Sequence, residues 1–296
     1  MKRVLIPLMI CFLLLTQALA SAASRQSGLV IKSDVKGLAL TVSCDLVDGS
    51  NNAEVRTFRV RGRSVLDGVQ VGDSVTFDVV KAGTSLFAED VQVHPFEPSE
   101  TDPMQAHRMH LLARGSKAIE GKATEGGKLV TPGQQVPDFL LIDQNGRPIT
   151  LSSFKGKAIA ISFMYTRCAL PNYCHRLSNN LGQVQQRFHE QLGRDLILLT
   201  ISFDPEHDNP EELTKYARTW NADANWHFLT GSDAEIHRVS GFFGIDSYLD
   251  EGLLAHSLHT LVIGRDGKLV ANLEGNKFTA RQLGDLVQST LEDRDH

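Results

Sequence analysis

Residues 195–203 read DLILLTISF: after Asp195, an apolar run interrupted only by two small hydroxyl residues. So short and continuous a run is the pattern of a strand buried on both faces, which needs helices on each side of the sheet. The neighbouring sequence fits that layer. DFLLID (138–143) and KAIAISFMY (157–165) are strand-like, and Leu177, Leu181, Val184 and Phe188 mark an amphipathic helix that Gly193 is expected to stop. Asn209, Pro210 and Glu212 start a second helix with Leu213, Tyr216, Ala217 and Trp220 in register. Ser232 with Glu235 opens a third, and Thr279 with Gln282 opens the last. HTLVIG, the turn RDGK and LVANLEG form a hairpin. The order is strand, helix, strand, helix, hairpin, helix, with a central sheet flanked by helices.

That order is the order of a thioredoxin-like α/β fold, expected over residues 135–296. The N-terminal texture differs. LVIKS, LALTVSCDLV, VRTFRVR, SVTFDVV and LFAEDVQV are short strands separated by Gly and Asp turns. They predict a small all-β, OB-like barrel over 26–95. Residues 96–134 are rich in Pro, Glu, Gly, Lys and Ser and read as a linker.

Lys2 and Arg3 precede an apolar run from Val4 to Leu15, followed by Ala18, Ala20, Ala22 and Ala23. This is the pattern of a secretory signal peptide over 1–22, and the run is short for a membrane span. The chain is therefore expected to be exported to the periplasm, with membrane attachment only if the segment is retained as an anchor. Cys11 leaves with the signal. Cleavage also removes Lys2 and Arg3 but no acid, moving the formal charge from −5 to −7. Mild acidity excludes a nucleic-acid binder, which would carry a basic patch.

Cys44, Cys168 and Cys174 then remain, too few and odd in number for a disulfide scaffold. In an exported chain they can serve as a disulfide, a redox couple or a metal site. Cys168 falls where strand gives way to loop, and Cys174 falls in the first helical turn, with Pro171 between them. The positive end of the helix predicts that both thiols ionise more easily than a free cysteine. A continuous helix over 168–174 would hold the two Cα atoms roughly 9 Å apart. That is beyond the ~7 Å limit for a disulfide, so the loop must fold back for the sulfurs to work together.

A thioredoxin couple is C-x-x-C, and this is C-x5-C. No proline follows Pro210, so the cis-proline of such oxidoreductases is missing. A peroxiredoxin would place threonine three residues before its cysteine, where Tyr165 stands. His256 lies just before the hairpin strand that faces the cysteine loop. Two thiolates and an imidazole suit copper, Cu(I) especially, and can hold Zn(II). His259 and His175 compete for that third place. Three residues into the strand, His259 is expected on the opposite face from His256.

From Gln135 to Asp293 the chain resembles the Sco (SenC) family of thioredoxin-fold copper proteins. The resemblance lies in VPDFLLIDQNGRPITLSSFKGKAIAISFMYTRC, LLTISFDPEHDNPEELTKYA, WHFLTG and HSLHTLVIGRDGKL. It implies one copper ion, Cu(I) or Cu(II), held by Cys168, Cys174 and His256. It also implies a role as a metallochaperone assembling the copper centre of cytochrome c oxidase. The implied partners are a copper-accepting oxidase subunit or another copper protein, and a thiol–disulfide redox partner. The family motif C-P-x-x-C-P is altered: Ala169 replaces the first proline, His175 the second, and the loop is two residues longer. Ala255 stands where an aspartate commonly precedes the histidine.

The barrel is similar, through FRVRGRSVLDGVQVGDSVTFDVV, to the CusF-type periplasmic copper-binding domain. That family uses histidine, methionine and tryptophan, and residues 28–94 contain no Met or Trp. The barrel is therefore expected to bind no metal and to serve as a binding or spacer module. MQAHRMH (104–110) offers Met104, His107, Met109 and His110 as a copper-binding set, but it reads first as a solvated linker helix. Two functions remain open. A metallochaperone needs Cys168, Cys174 and His256, whereas a thiol–disulfide oxidoreductase that keeps a partner's copper-ligand cysteines reduced needs only the cysteines.

Overall fold

The structure, a computed structural model, describes residues 24–45, 54–95, 129–168, 173–245, 247–250 and 253–293, with backbone alone at 247–250 and 253–256. The signal segment with Cys11, the MQAHRMH stretch, most of the linker and residues 169–172 with Pro171 lie outside these residues.

Strands β1 (Ser24–Asp34), β2 (Ala39–Cys44), β3 (Val55–Arg59), β4 (Ser74–Ala82) and β5 (Ser85–His94) close into a barrel in the order β1-β2-β3-β5-β4. β3 and β5 meet in parallel, and a 3-10 turn at Arg63–Leu66 fills the β3–β4 connection. Val30, Leu40, Val42, Phe58, Val75 and Phe77 form the interior, with the Phe58 and Phe77 rings edge to face at 4.8 Å. This is OB topology.

The second unit is a seven-stranded sheet in the order β14-β13-β8-β9-β10-β6-β7. Its members are β6 (Leu140–Asp143), β7 (Pro148–Thr150), β8 (Ala158–Met164), β9 (Leu196–Ser202), β10 (Trp226–Thr230), β13 (His259–Ile263) and β14 (Leu269–Glu274). β8, β9 and β10 run parallel, and β13 pairs antiparallel with both β8 and β14. Every residue of β8 and β9 is buried, as the run 195–203 requires. On one face lie α1 (Cys174–Arg187), α2 (Pro210–Thr219) and α4 (Ala280–Glu292), packed on Ala160, Leu198, Phe228 and Val262. On the other, α3 (Asp233–Gly241) packs on Ile161, Phe163, Leu199 and Leu261. This is the thioredoxin-like arrangement.

The helix starts follow their caps. The Asn209 side chain accepts from the amides of Glu211 and Glu212, Ser232 accepts from that of Glu235, and Thr279 with Gln282 makes a full capping box. One expected stop moves: α1 ends at Arg187, ahead of Gly193. The chain leaves the helix at Phe188 (φ −112°, ψ 29°), and Gly193 (φ +80°) makes the later bend into β9.

The barrel is docked on the second unit. β1 is buried on two sides: Val30 points into the barrel, while Leu29 and Ile31 join the core of α4 and β14. Around them is a polar clasp. Asp285 on α4 accepts from the Ser43 hydroxyl (2.7 Å), Arg281 (2.9 Å) and Arg187 on α1 (2.8 Å). Arg281 also donates to the Cys44 carbonyl (2.6 Å), and the Gln282 amide reaches the Ser43 carbonyl (3.2 Å) and Asp45 (2.8 Å).

Candidate metal centre

β8 ends at Met164, and the turn Tyr165–Cys168 follows, closed by the Cys168 amide donating to the Tyr165 carbonyl (3.2 Å). Cys174 is the first residue of α1, and its side chain is fully buried. It lies in an apolar cluster with Tyr165, Cys168, Tyr173, Leu177 and Leu258. The two cysteines thus share one cluster, and the Cys168 side chain hydrogen-bonds Cys174. The two are not joined by a disulfide.

The expected easy ionisation of both thiols is reversed at Cys174. Its thiol is held well above the ordinary value, first by the hydrogen bond with Cys168, then by burial and by the Cys168 charge. Backbone hydrogen bonds at Tyr165, on the turn after β8, and at Cys174 itself, at the helix start, act to lower it but are outweighed. Tyr165 is likewise held up by burial, then by the two cysteines. Tyr216 is pushed up to about 12 by burial, though Ser178 and Trp220 oppose it.

His256 ends a two-stranded hairpin, β11 (Ser247–Asp250) with β12 (Leu253–His256), in which it pairs with Ser247. Two residues separate it from β13. In the sheet register Thr260 lies opposite Ser162, so the chain enters β13 at the end where β8 leaves for Cys168. The backbone thus carries His256 to the cysteine end of the sheet. Its side chain lies outside the described residues, as does any contact it makes with the thiols.

The two competing histidines are placed differently. His259 opens β13 instead of lying three residues inside it, because Leu253–His256 pairs back on β11. It is buried on the face of Leu261 and Ile263, where its Nδ1 meets Asn272 Oδ1 at 2.8 Å, away from the cysteine face. His175 is exposed on α1, with its ring 6.0 Å from that of Trp220. Among the described residues no three His, Cys, Asp or Glu side chains gather tightly enough to hold a metal.

Sequence reasoning gave no role to Asp204 and Asp208, which bind the turn that carries Cys168. Their signal was available: two carboxylates four residues apart, directly after a buried parallel strand, sit at the carboxyl edge where such sheets build sites.

Residues 129–292 match the family model SCO1/SenC, more than half of the chain. The protein belongs to the SCO1/SenC family. The SCO1 protein homolog of Bacillus subtilis is 28% identical over 160 residues, covering 50% of this chain and 81% of that protein. A putative copper-binding protein of Stutzerimonas stutzeri is 27% identical over 139 residues, covering 45% and 66% respectively. Among solved structures, Bradyrhizobium japonicum ScoI with copper bound is 26% identical and covers 53% of this chain and 99% of that one, with a TM-score of 0.46. The barrel lies outside the matched residues. Among the described residues no helix is long and apolar enough to cross a membrane.

Proposed function

We propose that this SCO1/SenC member is an exported copper-binding assembly protein that carries one copper ion on Cys168, Cys174 and His256 as cargo. The observation that supports this most directly is the pair of buried thiols brought into hydrogen-bond contact at the carboxyl edge of the sheet. Two adjacent sulfurs are a soft donor set, and an added imidazole suits copper. A relative from Stutzerimonas stutzeri is described as a putative copper-binding protein, which agrees. The family resemblance points to a respiratory cytochrome c oxidase as recipient. Loading requires both thiols to lose their protons, so the burial that holds the Cys174 proton makes capture of copper proton-releasing. Residues 1–22 act as the export signal, the barrel of 26–95 carries no metal, and 96–134 joins it to the copper domain.

The thiol contact is also what a dithiol–disulfide couple needs, and this favours one alternative: a periplasmic oxidoreductase that reduces the copper-ligand cysteines of a partner. Anaerobic titration of the reduced full chain with Cu(I) against a competing chelator separates the two. The copper reading expects one ion per chain, lost in the Cys168→Ser, Cys174→Ser double variant. It also expects Cu(II) binding and its absorption spectrum to change sharply in His256→Ala and not in His175→Ala. Reduced wild-type protein that binds no copper, yet reduces a protein disulfide, would establish the alternative instead.

A further inference from the structure

Both central residues of the turn Tyr165–Cys168 are held by carboxylates from the loop after β9. The Thr166 amide donates to Asp208 Oδ2 at 2.9 Å and its hydroxyl to Oδ1 at 2.5 Å. The Ser202 hydroxyl, at the end of β9, donates to the same carboxylate. Arg167 donates through Nη2 (2.6 Å) and Nε (3.2 Å) to Asp204 Oδ2, whose other oxygen meets His207 Nδ1 at 2.8 Å. The two anchors are themselves joined, since the Asp208 amide donates to the Asp204 carbonyl at 2.7 Å. Both carboxylates are buried, but Asp204 is paired with the half-exposed Arg167, whereas Asp208 is fully buried and takes its hydrogen bonds from Thr166 and Ser202.

We propose that Asp208 is a positioning residue for the cysteine pair: it fixes the turn so that Cys168 stays within reach of Cys174. The physical case rests on what else could do this. Cys174 is fixed by α1, but Cys168 lies four residues beyond the end of β8, where the ladder bonds no longer hold the chain. A carboxylate buried without a cation on it costs desolvation that a neutral acceptor would avoid. What the charge adds is short, directional bonds, and all three here come from neutral donors on β8's turn and β9. Asp208 holds the turn through the amide and hydroxyl of Thr166, two residues before Cys168, so it acts on Cys168 through Thr166.

The proposal rests on Cys168 and Cys174 working as a pair, and its test uses no copper. With oxidised glutathione as oxidant, one cysteine thiolate displaces glutathione to give a mixed disulfide. The second cysteine then displaces the other glutathione, closing Cys168–Cys174 while two electrons and two protons leave the protein. In the full chain, Asp208→Ala is expected to slow that closing step about tenfold to a hundredfold, as misplacement by an ångström does. Hydrogen exchange at the amides of Thr166 and Cys168 should rise with it. Asp208→Asn keeps an oxygen for Thr166 and should show a smaller change of the same sign. Thr166→Val, which removes one bond from the turn side, should do likewise and serves if the Asp208 variants fold poorly.

The control is Thr200→Val, which removes two buried hydrogen bonds, with Trp226 and Ser162, and lowers stability without touching the turn. Closure and exchange in Asp208→Ala that match Thr200→Val, once compared at equal stability, would overturn the proposal. A wild-type chain that closes no disulfide would refute the pair reading, and the exchange measurement would then decide the anchoring role alone.

Discussion

The clasp between barrel and α4 predicts what Asp285→Ala does. The Asp285 side chain is 8% exposed and accepts three hydrogen bonds, from Arg187, Arg281 and Ser43. Breaking a fully buried ion pair typically costs about 3–5 kcal/mol. The guanidinium partners here are 39% and 33% exposed, so water recovers part of their solvation when the carboxylate goes. The Ser43 hydroxyl keeps the bond it accepts from Arg281 at 2.9 Å. The expected loss is therefore about 2–3 kcal/mol, at the docking surface and not in either core. A lone barrel of this size is marginal, since a core below roughly 70–80 residues supplies only about 3–5 kcal/mol. Loss of docking should then uncouple the barrel. In urea, both tryptophans, Trp220 and Trp226, report the second unit, while exchange at Val30 and Val42 reports the barrel. The wild-type chain should lose both signals together, and Asp285→Ala should release the barrel amides at lower urea than the tryptophan transition. A cycle with Ser43→Ala should give a coupling of about 0.5–1 kcal/mol or more. A change under about 0.5 kcal/mol with the two signals still coincident would refute the clasp as the docking element.

Three further outcomes follow from single positions. Gly72 (φ +95°) has its virtual Cβ 3.0 Å from the Ala271 Cβ of β14, so Gly72→Ala should cost about 1–2 kcal/mol and add to Asp285→Ala in the barrel's release, as urea midpoints will show. The Cys44 thiol is pushed by burial from an ordinary 9.0 to about 11, so the folded state holds a proton that the unfolded chain loses. Stability should be unaffected below pH 9 and fall by up to about 3 kcal/mol as pH rises from 9 to 11. Cys44→Ala should flatten that alkaline slope in urea titrations, and equal slopes would contradict it. Thr200→Val leaves the buried Trp226 indole N–H, now 2.9 Å from the Thr200 hydroxyl, without its acceptor, and should lower stability by about 1–3 kcal/mol with a shift in tryptophan emission.

Much of the fold was legible because its signals are local. Leu177, Leu181 and Val184 face one way at any helix of that register, and Asn209, Ser232 and Thr279 cap the helices they precede. The both-face burial of 196–202 is written in the run itself. The docking was not legible. Nothing in LVIKS distinguishes Leu29 and Ile31, which meet α4 and β14, from residues of a free barrel wall, because their partners lie some 240 residues away. The Asp285 clasp joins residues 242 apart in sequence. Long-range pairing of this kind leaves no periodicity to read.

The site divides in the same way. That Cys168 and Cys174 end near each other could be argued from one loop and one helix start, and their contact follows. How they ionise could not, because two effects of opposite sign compete. The helix start favours thiolate by its orientation, which sequence conveys. Burial and a neighbouring thiol favour the proton, and those depend on Tyr165, Tyr173 and Leu258 closing over the pair from three separate segments. A helix terminus stabilises a charge by only about 0.3–2 kcal/mol. At the fully buried Cys174 the neighbouring thiol and desolvation outweigh it. The same reasoning explains why Asp204 and Asp208 escaped notice. A carboxylate in a loop reads as solvated until the turn it binds is known, and that turn reaches them only when β8 and β9 pair in parallel, Met164 opposite Ser202.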